Sequence, residues 1–471
     1  MVKSQFKDIA DFAFRNRLKR WVFLLIPSRF SVWLFRRILD RDKERNSLLA
    51  AKFLVDAQKL YPSKYYLLLP KFLRFALRLA HTCLPNTYLR LFINSVFETR
   101  RHPAKRKLNS EYVYQATRSL DRRQSTAHGW KLISLALTGF GFIRAGTVAR
   151  KYCLEASLEE VKDGKASSRT LRLAIEGLLE GRRFEEAIKC IEFYGSNLDS
   201  NSIDRYVFYL DLLQQRRPDH TAIKFVEVAP KNNTAQNLIT DKSVALLATG
   251  EITTLSGNDI DQHDVVARIK FQGFNVAPPS AYAGTRCDVT SFNQDLTTSL
   301  VAKFSSNPKS IDFLNVVKLI FLKQANLVKL GSIPVQNMQV WAPTFLTTAT
   351  SGTLLIFELL MHRPRSLKLF AFDFYTKRSI YNAALMEYFT GREALREISL
   401  PKNWFDVSTH QKRAATISHG FIPHDPRSDF LLVKNLYEMS GLIDGTPEVL
   451  EILNLTADEF DARLEETLGD W

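Results

Sequence analysis

From about Gln236 onward, short apolar runs rich in β-branched residues alternate with stretches whose apolar residues recur at helical spacing. Residues 243–248, 264–271, 287–292, 338–341 and 367–374 read as buried strands. Residues 354–361, 429–439 and 447–453 read as helices. This alternation predicts an α/β domain at 236–471 with a mostly parallel sheet. Upstream, residues 111–235 carry only the helical period. There, 171–181 and 184–194 are amphipathic helices joined by a turn of two arginines. Residues 1–110 alternate apolar and basic positions at helical spacing, most clearly at 21–35 and 65–84. Pro27, Pro62, Pro70 and Pro85 cut these stretches into short helices. The pattern predicts three regions, with an all-α half preceding the α/β domain.

The helical pair at 171–194 has an upstream counterpart. Residues 132–139 and 145–154 align with it at an offset of 38, which matches Gly139 to Gly177 and Ala149 to Ala187. Small residues at such positions let paired helices approach closely. The arrangement resembles tetratricopeptide-type packing, which implies stacked helical hairpins acting as a scaffold or partner-binding spacer.

Charge changes the picture for the first region. Residues 1–110 hold 24 Lys and Arg against 7 Asp and Glu, of 65 and 49 in the whole chain, so the entire excess of +16 lies there. Trp, Tyr and Phe beside Arg and Lys is the composition of helices lying in a bilayer interface. This region either meets an anionic membrane surface or is a helical scaffold whose Arg and Lys are simply solvated. Nucleic acid is not an expected partner, because nothing beyond charge suggests it. The start of the chain lacks the long apolar core of a signal peptide, and no run approaches about 18 uncharged apolar residues. The four cysteines, Cys83, Cys153, Cys190 and Cys287, form no CxxC pair, so neither a zinc site nor a disulfide framework is expected. The expected location is cytoplasmic, peripheral on the membrane face. The 45% hydrophobic composition, with 33 Phe, is globular and excludes disorder.

In a parallel α/β sheet, ligands bind beyond the carboxyl ends of the strands. Four candidate segments stand there. Ala248-Thr249-Gly250-Glu251 follows the first strand, and glycine there admits a ligand close to the backbone. It has neither the dinucleotide-binding nor the P-loop glycine pattern. Thr350-Ser351-Gly352-Thr353 precedes an apolar helix, where its hydroxyls either cap the helix or help its free N–H groups to hold an anion. Asp373-Phe374-Tyr375, with Tyr381 six residues on, offers two phenols that either bond a leaving phosphate or edge the core. Ser418-His419 through His424 to Asp429 leads into a helix. His424 brings an imidazole, the side chain whose ordinary range suits a base that takes a proton from a sugar hydroxyl.

Taken in order, these segments resemble bacterial sialyltransferases of glycosyltransferase family 42, and more distantly the sialylmotifs of the animal family 29 enzymes. The matching pieces are Val244–Gly250, the Asp264-Val265-Val266-Ala267-Arg268 strand, Gly284-Thr285-Arg286-Cys287, Thr350-Ser351-Gly352, Asp373-Phe374-Tyr375 with Tyr381, and Ser418-His419 with His424 and Asp429. The resemblance implies the GT-A-like sialyltransferase fold for the C-terminal half and a CMP-activated acidic sugar as donor. It also implies inverting transfer to a glycan acceptor without a metal or a resident cofactor. Thr249, Gly250, Lys270, Thr350, Ser351, Gly352 and Asp373 would contact the donor. Tyr375 and Tyr381 would bond the departing phosphate, and His424 would be the general base. The chain departs from the family at Thr249 and Lys270, where the family has asparagines that handle the nucleotide or sugar. CMP-linked Kdo or another nonulosonic acid is therefore an alternative donor. A catalytically inactive homologue serving as an assembly protein is the alternative role.

Overall fold

The computed structural model describes residues 105–213, 234–292, 315–322, 332–376 and 424–469, less a few positions inside these stretches, and scattered residues outside them. The chain separates into two compact units, Met1–Phe97 and Glu98–Trp471, and the elements below all belong to the second. The helices expected at 21–35 and 65–84 lie outside the described residues. Among the described residues, no helix is long and apolar enough to cross a membrane.

The unit begins with helices α1 (Arg106–Arg118), α2 (Ala127–Gly139), α3 (Ile143–Lys162), α4 (Ser168–Glu180), α5 (Phe184–Tyr194) and α6 (Ser200–Leu213). The two related hairpins of the sequence are α2–α3 and α4–α5. Ser167 caps α4 by accepting the Thr170 N–H, and Arg182, at φ 60°, turns the chain into α5. Helix α4 is buried almost all round, Ala174, Ile175, Leu178 and Leu179 included. Gly177 shows why. A Cβ on it would lie 2.8 Å from Leu154 on α3 and 3.1 Å from the Phe345 ring of the α/β part. Absence of a side chain thus lets α4 pack on its hairpin neighbour and on the α/β layer at once.

The α/β part runs α7 (Thr234–Ile239), β1 (Ser243–Leu247), α8 (Gly257–Asp261), β2 (Val265–Ile269), α9 (Ser280–Ala283), β3 (Val289–Phe292), β4 (Leu319–Leu322), β5 (Val335–Asn337), α10 (Ser351–Met361), β6 (Ser366–Phe370), α11 (Pro426–Ser440), β7 (Ile443–Gly445), α12 (Pro447–Leu453) and α13 (Ala457–Gly469). All pairings are parallel, in the order β5-β4-β3-β2-β1-β6-β7. Strands β1 to β5 are laid down in one direction and β6 and β7 on the other side of β1. The order therefore reverses between β1 and β6. Alternate side chains serve opposite faces. Val244 and Leu246 join the large core with α3–α7, α10, α11, α12 and α13, while Ala245 and Leu247 pack with Ile260 and Ala283 of α8 and α9. Burial on both faces explains the near-continuous apolar strands.

Several expected boundaries move. The fourth expected strand, 338–341, is replaced by β5 at Val335–Asn337; Met338 lies just past it, and 339–341 are outside the described residues. The strand expected at 367–374 ends at Phe370, because Ala371 takes a left-handed φ of 58° and turns the chain out of the sheet. Strand β2 likewise stops at Ile269, before Lys270 at φ 56°. Strands β4 and β7 had no counterpart in the sequence reading.

Candidate functional site

Three strand ends deliver candidate segments to the carboxyl edge of the sheet. Thr249 and Gly250 follow β1, Lys270 follows β2 and Asp373 to Tyr375 follow β6. Gly250 is pressed against the β6 loop: a Cβ on it would lie 2.5 Å from the Ala371 carbonyl and 3.4 Å from Asp373 Oδ2. Any side chain there would separate the two loops that flank the reversal of strand order. Lys270, Ala371, Phe374 and Tyr375 all have positive φ, between 45° and 67°. Left-handed backbone costs a non-glycine residue roughly 1–2 kcal/mol, so this edge stores strain of the kind that collects at functional sites.

Helix α10 aims its amino end at the same edge. A Cβ on Gly352 would lie 3.3 Å from Ile269 at the end of β2 and 3.2 Å from Phe372 in the β6 loop. Thr350 is the cap of α10, its hydroxyl accepting the Thr353 N–H. Its own N–H donates to Asp429 Oδ2 at 3.0 Å. Among the described residues, this leaves the Ser351 and Gly352 N–H groups for solvent or an anion.

His424 pairs with Thr348 in a parallel bridge, two residues before that cap. Its Nδ1 lies 3.3 Å from the Thr348 carbonyl. A carbonyl can only accept, so Nδ1 carries the proton of the neutral ring and Nε2 is the basic nitrogen. Asp425 then caps α11, accepting the Ser428 N–H at 3.1 Å. One turn on, Asp429 is fully buried. Burial pushes its carboxyl up to about 7, against the hydrogen bonds from Thr350 and with the negative charge of Asp425 adding to the rise. The β6 loop packs onto the same helix through Phe374 and Phe430, whose ring centroids are 6.1 Å apart.

Contacts thus join Gly250 to Asp373, Gly352 to the β2 and β6 ends, and His424 and Asp429 to the start of α10. Tyr375 is half-buried against the core, and its N–H donates to Asp373 Oδ1 at 3.0 Å. Tyr381, Ser418 and His419 lie outside the described residues. A small pocket opens between the β1 and β6 loops and α12, lined by Thr253, Thr254, Asp373, Thr446 and Glu448 with apolar neighbours. Of the predicted residues only Asp373 lines it; His424, Ser351 and Tyr375 do not. Among the described residues no group of three His, Cys, Asp or Glu could hold a metal ion.

Two other sequence segments meet one another. Arg268 on β2 donates to the Arg286 carbonyl at 2.8 Å and to the Gly284 carbonyl at 3.3 Å, which binds the Asp-Val-x-x-Arg strand to the Gly-x-x-Cys segment. Burial lowers the affinity of this guanidinium for its proton. Asp259, Asp261 and Asp264 hold Lys368, the Thr285 N–H and the Ser243 N–H respectively, all structural partners.

The sequence reading missed the residues that hold the His424 segment in place. Arg150 of α3 donates to Asp425 at 2.7 Å and, through Nε, to Glu180 of α4 at 2.8 Å. Only Asp425, standing one residue before a proline that opens a helix, carried a recognisable capping signal. Comparison with family models, with curated proteins and with solved structures found no match to this chain.

Proposed function

We propose that this chain is a glycosyltransferase of the sialyltransferase type, transferring sialic acid or a related acidic sugar from a CMP-activated donor to a glycan acceptor. The observation that carries this reading is the meeting of His424 with the amino end of α10. The Nδ1 of His424 lies against the Thr348 carbonyl, two residues before Thr350, which caps the helix that Ser351 and Gly352 open. A base and an anion-binding helix end at one sheet edge are what a transfer between a hydroxyl and a charged sugar needs.

The residues divide the work as follows. Nε2 of His424 takes the proton of the acceptor hydroxyl as that oxygen attacks the anomeric carbon. The helix end and the Ser351 and Gly352 N–H groups attract the sugar carboxylate. Tyr375 and Tyr381 donate to the phosphate, on which negative charge grows as its bond to the sugar breaks. The β1 loop at Thr249 and Gly250, Lys270 and Asp373 line the donor. Lys270, where the family has asparagine, supplies a cation that suits a phosphate or carboxylate. Attack opposite the leaving phosphate inverts the anomeric centre.

A screen of CMP-sialic acid, CMP-Kdo and related CMP-sugars for CMP release tests the reading. One donor should be hydrolysed slowly without an acceptor, and His424→Ala should lower that rate by about 10²–10⁴ with folding intact. Absence of both CMP release and calorimetric CMP binding would end the transferase reading and favour an inactive assembly protein.

A further inference from the structure

Arg150 sits on the helical hairpins but reaches the segment that carries His424. Its guanidinium is buried, and each of its three nitrogens donates. Nη1 donates to Asp425 at 2.7 Å, Nε to Glu180 at 2.8 Å, and Nη2 to Ser428 at 2.6 Å and to Glu180. Its carbon lies 4.8 Å above the Phe345 ring. Two of these three acceptors also hold a second loop. Ser428 Oγ accepts the Phe345 N–H at 3.1 Å, and Asp425 Oδ2 accepts the Leu346 N–H at 3.3 Å. Arg150 therefore ties together the residue next to His424 and the loop that leads through Thr348 to the α10 start.

A buried ion network of this kind is weak evidence for stability, because apolar packing of similar volume often does as well. What it supplies is fixed geometry, since a planar guanidinium bonded through all three of its nitrogens holds its partners in a narrow range of arrangements. We infer that Arg150, oriented by Glu180, is a positioning residue for His424 and for the amino end of α10, so that the helical hairpins belong to the catalytic apparatus. The role assigned to His424 rests on the transferase reading; the positioning itself does not.

The test uses the full chain with Arg150→Lys, which keeps the charge and loses the fork, and Glu180→Gln, which keeps the shape. Circular dichroism first establishes that each is folded at the assay temperature. NMR then follows the His424 imidazole, assigned with His424→Gln as the blank, and amide exchange at Leu346 and Thr350. In Arg150→Lys the His424 titration midpoint should move by about half a pH unit or more. Exchange at Leu346 and Thr350 should quicken about tenfold while the α4 amides hold. Glu180→Gln should show the same changes at smaller size. With the donor that supports CMP release, kcat should fall about tenfold or more with KM nearly constant, as for loss of an interaction made only in the transition state. A folded Arg150→Lys protein with unchanged His424 titration and unchanged exchange would overturn the inference. Should Arg150→Lys fail to fold, Glu180→Gln alone decides by the same two readings. A wild-type chain that releases no CMP from any donor would sink the transferase reading and leave the NMR result to judge positioning by itself.

Discussion

Asp429 is the residue whose chemistry departs furthest from its ordinary behaviour at this site. Its carboxyl is buried at the start of α11, accepts the Thr350 N–H and stands near the charge of Asp425, and burial above all holds its pKa at about 7 against an ordinary 3.8. Because the folded pKa is the higher one, the folded state keeps a proton that the unfolded chain loses near pH 4. The stability contributed by that proton is complete below about pH 4 and is lost as pH rises through 7. Asn at this position can still accept the Thr350 N–H but has no proton to lose. Asp429→Asn should therefore match the wild type near pH 4 and exceed it at pH 8, by at most ~4 kcal/mol, since each pH unit between the folded and unfolded pKa values is worth about 1.4 kcal/mol. Urea unfolding at the two pH values measures this, and equal differences at both would show that Asp429 titrates normally. Asp425 behaves in the opposite sense. Arg150 and the Ser428 hydrogen bonds hold its carboxyl below the usual range despite its burial, so its contribution is present at neutral pH and lost in acid. Two carboxylates four residues apart thus shift in opposite directions: burial governs Asp429, while one guanidinium reaches Asp425 and outweighs its burial.

At the scale of elements, the ends of helices and strands decide the site. Thr350 closes the first turn of α10 and orients it toward the β2 and β6 ends. Thr350→Ala removes the hydroxyl acceptor of the Thr353 N–H and should cost about 1 kcal/mol in a denaturant melt. It should also weaken CMP-sugar binding if that helix end holds the donor, whereas Thr350→Ser should restore both. The elements that periodicity could reveal were legible in the sequence. Helices α4, α5 and α10, strands β1 to β3, and the capping pattern at Thr350 all follow from apolar spacing and turn residues. What was not legible has a physical reason in each case. Leu319–Leu322 is four apolar residues long, too short for its period to separate strand from helix. Ile443-Asp444-Gly445 is shorter still, and its pairing to β6 fixes it more than its own sequence does. The end of β6 was placed four residues late because Phe372 and Phe374 continue the apolar run. Only the left-handed turn at Ala371 takes them out of the sheet. For the site, sequence supplied the residue types and their order along the strands. It could not supply Arg150, since a basic residue on an amphipathic helix looks the same whether it faces water or reaches across to a distant loop.

For the whole molecule, charge and packing divide the labour between the two compact units. Within Glu98–Trp471 the helical hairpins and the sheet share one core, and ion pairs join α11 to α13 through Arg427–Asp461 and α3 to the start of α11 through Arg150–Asp425. The basic excess of the chain lies instead at 1–110, most of it in the unit Met1–Phe97, where Lys and Arg alternate with Trp, Tyr and Phe. A segment of that composition gains about 1 kcal/mol per basic residue near an anionic leaflet, so a few residues suffice for reversible attachment. Attraction of this origin is screened over about 8 Å at physiological salt. The full chain should therefore co-sediment with vesicles containing anionic phospholipid, bind neutral vesicles far less, and release as salt is raised well above the physiological range. Equal binding to neutral and anionic vesicles would mean that apolar insertion, not charge, provides the affinity. Absence of binding to either would remove the membrane surface from the partners of this chain and leave the basic segment to some other anionic surface. If attachment does follow charge, a transferase held at an anionic surface would meet lipid-linked acceptors at high local concentration. In that case CMP release with such an acceptor should rise when it is presented in anionic rather than neutral vesicles, and the rise should vanish in the same salt range as binding.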